Sequence, residues 1–188
     1  IKFVGILLLL HRGGEDMKST GIVRRIDELG RIVVPIEMRR ALDIGERETM
    51  EISVEGDGIV LRRAHVAVFG IGGVGGQAVE VLARSGVGEL SLFDSDTVAL
   101  SNLNRQLVAL HSTLGQYKVD AMAARIADID PTIIVHANRM FYNAETAPDV
   151  DLMQFDYVLD CIDTVSAKLL LIRCCKKDGV PIDRKSTR

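Results

Sequence analysis

Apolar residues fall along this chain in short runs separated by glycine and proline, and the period changes near residue 64. Gly21-Ile22-Val23-Arg24-Arg25-Ile26-Asp27 predicts a short strand, Glu28-Leu29-Gly30 a turn, and β-branched Arg31-Ile32-Val33-Val34 a returning strand. Pro35 has no N–H for a ladder but fits the first turn of a helix, predicted from Ile36 to about Leu42. Two further strands, Glu51–Val54 and Ile59–Arg62, flank Gly56-Asp57-Gly58, a hairpin signal. His65-Val66-Ala67-Val68-Phe69 is apolar without alternation, as expected of a strand covered on both faces. After it come Gly70-Ile71-Gly72-Gly73-Val74-Gly75-Gly76, a helical pattern through Val79, Val81 and Leu82, and a closing Gly86. Leu90-Ser91-Leu92-Phe93 predicts a strand ending at Asp94, and Tyr157–Asp163 another buried strand ending in acid. A helix is predicted over Ser166–Lys177.

The periods predict an α/β chain of two domains: a small β-rich unit, 17–63, and an α/β unit, 64–182. Charge separates the same two stretches. Residues 17–40 hold six basic and three acidic side chains, whereas residues 64–182 hold nine basic and fourteen acidic. The net charge of −3 excludes a uniformly polycationic nucleic-acid binder, and 47% apolar residues exclude a disordered chain. Three cysteines, two of them adjacent, make no disulfide framework, and no Cys-x-x-Cys or His/Cys cluster has structural-zinc spacing. A reducing cytoplasm is the simplest compartment. Ile6–Leu10 is too short to span a bilayer, so no membrane partner is expected.

In the first unit, Met17–Arg24, Asp27–Pro35 and Arg39-Arg40 together resemble the AbrB-type transition-state regulators. The resemblance implies a swapped-hairpin homodimer that binds DNA, with Arg24, Arg31, Arg39 and Arg40 at the basic positions that meet it. Guanidinium forks suit phosphates and guanine edges. The plainer alternative is a solvated face in which these arginines pair with Asp27, Glu28 and Glu37. So small a unit buries little surface alone, which independently favours oligomerisation.

In the second unit, strand, glycine turn, helix, strand and an acid about twenty residues on make a nucleotide-binding fingerprint. Gly70, Gly72, Gly73 and Gly75 would let backbone approach phosphates at a helix N-terminus, and Asp94 could accept ribose hydroxyls. A structural glycine turn and a dinucleotide site share this pattern.

The residues that follow resemble one superfamily. Asp94-Ser95-Asp96-Thr97-Val98, Ser101-Asn102-Leu103-Asn104-Arg105-Gln106, Gly115-Gln116-Tyr117-Lys118 and Tyr157–Asp163 are similar to the adenylyltransferases of ubiquitin activation and of the thiamine and molybdopterin pathways. The resemblance implies ATP and Mg²⁺, with Asp94 on the ribose and Arg105 and Lys118 on the phosphates. Asn104 and Gln106 would support them, Asp96 would belong to the same pocket, and Asp163 would position the metal. Formation of an acyl adenylate needs charge neutralisation and positioning but no general base, because a carboxylate is already ionised. Taken singly, Asp96 reads equally as a helix cap and Lys118 as a helix-surface charge. Within the superfamily, Ala83–Gly88 and Ile162–Leu169 look most like the tRNA threonylcarbamoyladenosine dehydratases, which implies a tRNA substrate. Cys161 is expected in the core of a strand, and at least one of Cys174 and Cys175 should face inward.

Several features suggest a chimera. Residues 1–16 read as sequence upstream of a start at Met17, and Asp183–Arg188 as a non-native tail that continues neither strand nor helix. Leu61-Arg62-Arg63-Ala64 joins the two units without a linker. The resemblance to the adenylyltransferases implies that the second unit is truncated at its C-terminal end, its substrate-facing remainder missing, which would impair turnover. Amplification across residue 63 from source DNA tests the junction: one continuous product defeats the chimera.

Overall fold

The β-branched runs on either side of residue 64 build two separate sheets, so the chain divides into two compact units, Ile1–Arg63 and Ala64–Arg188. A computed structural model describes residues 6–10, 18–24, 33–41, 44, 50–55 and 58–184.

The first unit contains β1 (Ile6–Leu10), β2 (Lys18–Arg24), α1 (Ile36–Ala41), β3 (Met50–Glu55) and β4 (Gly58–Arg63), in the sheet order β2-β1-β4-β3. The expected hairpin forms, its register running from Glu55 opposite Gly58 to Met50 opposite Arg63. Ile6–Leu10, to which the sequence reading gave no element, pairs antiparallel with β2 and parallel with β4. The returning strand is not seen at its described end: Val33 and Val34 are irregular, and Arg31 and Ile32 lie outside the described residues. Pro35 accepts the first helical bond from the amide of Arg39 at 3.0 Å, so it opens α1 as its missing N–H dictates.

The second unit contains β5 (His65–Phe69), α2 (Gly73–Arg84), β6 (Glu89–Phe93), α3 (Lys118–Ile129), β7 (Ile134–Asn138), β8 (Tyr157–Asp160), α4 (Val165–Asp178) and β9 (Ile182–Arg184). All five strands are parallel, in the order β7-β6-β5-β8-β9. This is the doubly wound, Rossmann-like arrangement. Alternation along β5 explains its continuous hydrophobicity. Val66 and Val68 pack with Leu90, Leu92, Val79, Val119, Met122 and Ile126 on one face of the sheet. Ala67 and Phe69 pack with Phe93, Tyr142, Phe155, Leu171 and Cys175 on the other. Each such side chain removed from water contributes about 1.5–3 kcal/mol, so both faces are strongly specified.

Two boundaries differ from expectation. The strand expected over Tyr157–Asp163 stops at Asp160, which places Cys161 past the ladder rather than inside it. Asp183 and Arg184, read as tail, form β9 with Ile182 along β8. Ladder hydrogen bonds are made by backbone, so an open strand edge recruits residues of low strand propensity. The remaining tail, 185–188, is outside the described residues.

The order of connections reverses between β5 and β8, and both neighbours of that switch point end in loops rather than directly in helices. This leaves a crevice at the C-terminal ends of the strands, where ligands of open parallel sheets bind.

Candidate nucleotide-binding site

The crevice is a cavity of about 570 Å³. Its walls come from Gly70, Gly72, Gly73 and Val74 after β5, from Asp94–Asp96 after β6, and from Cys161–Thr164 after β8. Asn102, Arg105, Gln106 and Lys118 close one side and Met140, Phe141 and Tyr142 another.

The glycine turn is shaped by two close approaches. Gly70 has φ +90°, and a Cβ there would stand 2.8 Å from the carbonyl oxygen of Cys161. A Cβ on Gly75 would stand 1.8 Å from the carbonyl oxygen of Gly70. Only glycine permits the left-handed backbone at the first position and the close helix–turn packing at the second. Gly75, assigned from the sequence as a cofactor contact, is not among the residues that line the cavity; its close approach holds α2 against the turn. The N-terminus of α2, from Gly72 onward, has no side-chain cap and no acidic residue in its first turn. Its amides and the positive end of its dipole are left available to an anion in the cavity.

Asp94 braces this turn. Its Oδ2 accepts the amide of Ile71 at 2.7 Å and its Oδ1 accepts the amide of Asp96 at 2.8 Å. The carboxylate so fixed still has acceptor capacity toward the cavity.

Lys118 is the first residue of α3, a position where a positive charge opposes the helix dipole by about 0.3–1 kcal/mol. Helix stability does not explain it. Its ammonium is buried, with side-chain exposure of 7%, and donates to Asp96 Oδ2 at 2.6 Å, while Asp96 itself is 67% exposed. Neither of the plainer readings survives: Lys118 is no surface charge, and the Asp96 carboxylate grips Lys118 rather than capping a helix. The pairing keeps an ammonium poised at the cavity wall.

Arg105 is exposed and folded onto its own loop, donating from Nη1 to the carbonyl of Ser101 at 2.8 Å and to Asn104 Oδ1 at 2.9 Å. Asn104 is not among the residues that line the cavity; its side chain holds the guanidinium. Asn102, which sequence reasoning did not assign to the site, is buried and pins the loop, its Oδ1 accepting the amide of Ala99 at 3.0 Å. Gln106 Oε1 is buried and finds no hydrogen-bond partner among the described residues. An orphaned acceptor in the wall of a polar cavity is costly, about 1–3 kcal/mol, unless a ligand donor or solvent meets it.

On the third wall, Cys161 donates its amide to the carbonyl of Phe69 at 2.8 Å, tying β8 to the turn. Cys161, expected within a core strand, lies just past the strand end, where it is partly buried, packs against the core and lines the cavity. Asp163 is exposed at the mouth, and it and Thr164 lead into α4. Beneath them is a pair that the sequence did not reveal: Lys168 Nζ donates to fully buried Asp160 Oδ2 at 2.6 Å. Asp160 Oδ1 accepts the amide of Ile162 at 3.1 Å, so this pair fixes the loop that carries Asp163. Burial, and after it the neighbouring Cys174 thiol, raises the pKa of Tyr142. Its buried hydroxyl makes no hydrogen bond of good geometry among the described residues and stays protonated as a donor.

The four side chains on which the nucleotide reading depends, Asp94, Arg105, Lys118 and Asp163, thus border one cavity beside the glycine turn. The ThiF family model matches residues 46–186. This chain belongs to the ThiF family. Among curated ThiF-family relatives it is similar to the tRNA threonylcarbamoyladenosine dehydratase of Bacillus subtilis, 48% identical over 133 residues, covering 70% of this chain and 52% of that protein. The dehydratase of Haemophilus influenzae is 43% identical over 122 residues, covering 65% and 47%. Two solved structures of the E. coli tRNA N6-threonylcarbamoyladenosine dehydratase also resemble it, each at 39% identity. The one in complex with AMP superposes at a TM-score of 0.63 and the one in complex with ATP at 0.60, both covering 64% of this chain and 50% of that one. The chain spans about half the length of the relatives it matches. A second family model, antidote-toxin recognition MazE, bacterial antitoxin, matches residues 23–65, overlapping the stretch that resembles the AbrB-type regulators.

Of the arginines expected to meet DNA, Arg39 and Arg40 lie in the last turn of α1, half-buried and exposed respectively. Arg24 ends β2, and Arg31 lies outside the described residues. Among the described residues no helix is long and apolar enough to cross a membrane.

Proposed function

We propose that the second unit binds ATP and adenylylates a carboxylate, most like the tRNA threonylcarbamoyladenosine dehydratases. The observation that carries this reading is the convergence of Asp94, Arg105, Lys118 and Asp163 on the crevice beside the glycine turn. Gln106 Oε1 and the uncapped start of α2 fit a ligand that brings both donors and negative charge. Asp94 would accept from ribose hydroxyls, while Lys118, Arg105 and the amides of Gly72 and Gly73 would hold the phosphates. Asp163 would hold Mg²⁺, which when bound neutralises triphosphate charge. A substrate carboxylate oxygen attacks the α-phosphorus, the bond to the bridging oxygen breaks, and pyrophosphate leaves. On a threonylcarbamoyl-modified tRNA adenosine, activation followed by ring closure loses one water overall.

The first unit we read as a DNA-binding module that works as a homodimer, supported by its MazE-type match and by the arginines of α1. The three free cysteines suit a reducing cytoplasm.

Titration with ATP and with NAD, with and without Mg²⁺, tests the first proposal. Magnesium-dependent affinity for ATP alone, lost in Asp94→Ala and Arg105→Ala, is the expected result; affinity for NAD instead overturns it. For the first unit, retention on duplex DNA should fall with rising salt and weaken in Arg39→Ala. Salt-independent retention, or none, overturns the DNA reading.

A further inference from the structure

Away from the nucleotide cavity, at the N-terminal end of the same sheet, side chains from three adjacent strands meet. His65 opens β5, Glu89 opens β6 opposite it, and His136 of β7 lies opposite Ser91. This register sends His65, Glu89, Ser91 and His136 to one face. One ligand atom from each of His65, Glu89 and His136 lies within 4.8 Å of the others. We propose that His65, Glu89 and His136 form a binding site for a divalent transition metal of the zinc class. It adjoins a small cavity of about 190 Å³ that is lined in part by Ser91, His136, Asn138 and Gln154.

Two imidazoles and one carboxylate are the donor set that zinc takes when a fourth position is kept for water or a ligand. One of the separations is already close to that of a bound ion. Neighbouring donors on a tetrahedral zinc with bonds of roughly 2.1 Å are about 3.4 Å apart. Here His65 Nδ1 is 3.6 Å and His136 Nε2 is 2.8 Å from Glu89 Oε1. A contact of 3.6 Å is too long for a hydrogen bond, yet it matches two ligands of one ion. A solvated ion pair between His136 and Glu89 would account for the shorter contact but not for a buried histidine aimed at the same oxygen.

His65 is also held before any metal arrives. Its backbone amide donates to Asp156 Oδ2 at 2.8 Å, and its carbonyl accepts the amide of Asp156 at 2.9 Å. Its ring stands edge-on to Phe155, with centroids 4.8 Å apart. Ser91 Oγ is 2.9 Å from Nε2, which leaves Nδ1 as the nitrogen facing Glu89. Outer partners that fix ring orientation and tautomer are characteristic of ligating histidines. Loading the site opens the contact between His136 Nε2 and Glu89 Oε1, and a neutral imidazole that ligates through Nε2 keeps its one proton on Nδ1. The sequence concealed this set because its members are far apart along the chain.

The purified full chain, stripped with chelator, is titrated with Co²⁺ followed by visible absorption and with Zn²⁺ followed by calorimetry. The expected result is saturable binding of one equivalent, with the d–d absorption of four-coordinate cobalt and no thiolate charge-transfer band. Glu89→Gln and His136→Ala should each weaken binding by about tenfold or more while the circular dichroism spectrum is unchanged. His136 is exposed at the sheet surface, so its variant carries the test alone if Glu89→Gln does not fold. Absence of saturable binding, a thiolate band that vanishes in Cys174→Ser, or variants that bind like the parent chain each overturn the proposal.

Discussion

Gly75→Ala and Gly76→Ala place the same methyl group at neighbouring positions of α2, and the structure predicts opposite outcomes. In a helix interior, replacing glycine by alanine favours folding by about 0.8–1.0 kcal/mol. At Gly76 the nearest atom to the new Cβ is Leu107 Cβ at 4.0 Å, so that gain should be kept. At Gly75 the new Cβ falls 1.8 Å from the carbonyl oxygen of Gly70, and reaching even 3.0 Å needs a movement of about 1.2 Å. The carbonyl cannot yield alone, because Gly70 donates to Phe93 and Ile71 to Asp94 within the same turn. Overpacking of this kind costs about 1–3 kcal/mol or more and outweighs the helix gain. With a urea slope of about 2 kcal/mol/M, a net loss of 2 kcal/mol lowers the unfolding midpoint by about 1 M. Far-ultraviolet circular dichroism along a urea titration measures it. Equal midpoints for the two variants would show that the turn does not pack as described.

Lys168→Met should destabilise the second unit by about 3–5 kcal/mol, because it strands the buried Asp160 carboxylate; adding Asp160→Asn should recover part of the loss in the same urea assay. Equal losses in the single and double variants refute the pairing. Lys118→Met, in contrast, should leave stability within about 1 kcal/mol, since its partner is largely exposed, while ATP affinity measured by calorimetry falls at least roughly tenfold. A large stability loss with unchanged affinity would make Lys118 structural. Burial, followed by the charge of neighbouring Cys174, pushes the Cys175 thiol from 9.0 up to about 11. A raised acid pKa means that the unfolded chain releases its proton first. The stabilisation is therefore full below pH 9 and is lost as pH rises toward about 11, amounting to up to about 3 kcal/mol, and Cys175→Ala should flatten that part of the stability–pH curve. Cys175 should also be alkylated after Cys174, as peptide mapping by mass spectrometry would register.

Much of the second unit was legible before any coordinates because its signals are local. The unbroken apolar run His65–Phe69 marks a strand covered on two sides, and the glycine turn must follow it if α2 is to pack back against the sheet. The fingerprint pointed to Asp94, and the resemblance to the adenylyltransferases implied Arg105, Lys118 and Asp163; Asp94, Arg105 and Asp163 border the cavity from loops and Lys118 from the start of α3. Roles were harder to read than positions. Gly75 fits the fingerprint, yet its close approach is to the Gly70 carbonyl, because a motif records spacing and not what each position touches. Asp183 and Arg184 were not legible as strand, since the hydrogen bonds that make β9 come from an edge of β8 and not from its own side chains.

Residue order alone was sufficient for the α/β character and the glycine turn, both of which depend on neighbours a few positions apart. Folding was needed to bury Lys118 against Asp96 and Lys168 against Asp160, and to gather His65, Glu89 and His136 on one face. Those contacts depend on strand order and register, which are set by the packing of two apolar faces at once, and no short stretch of chain contains that information.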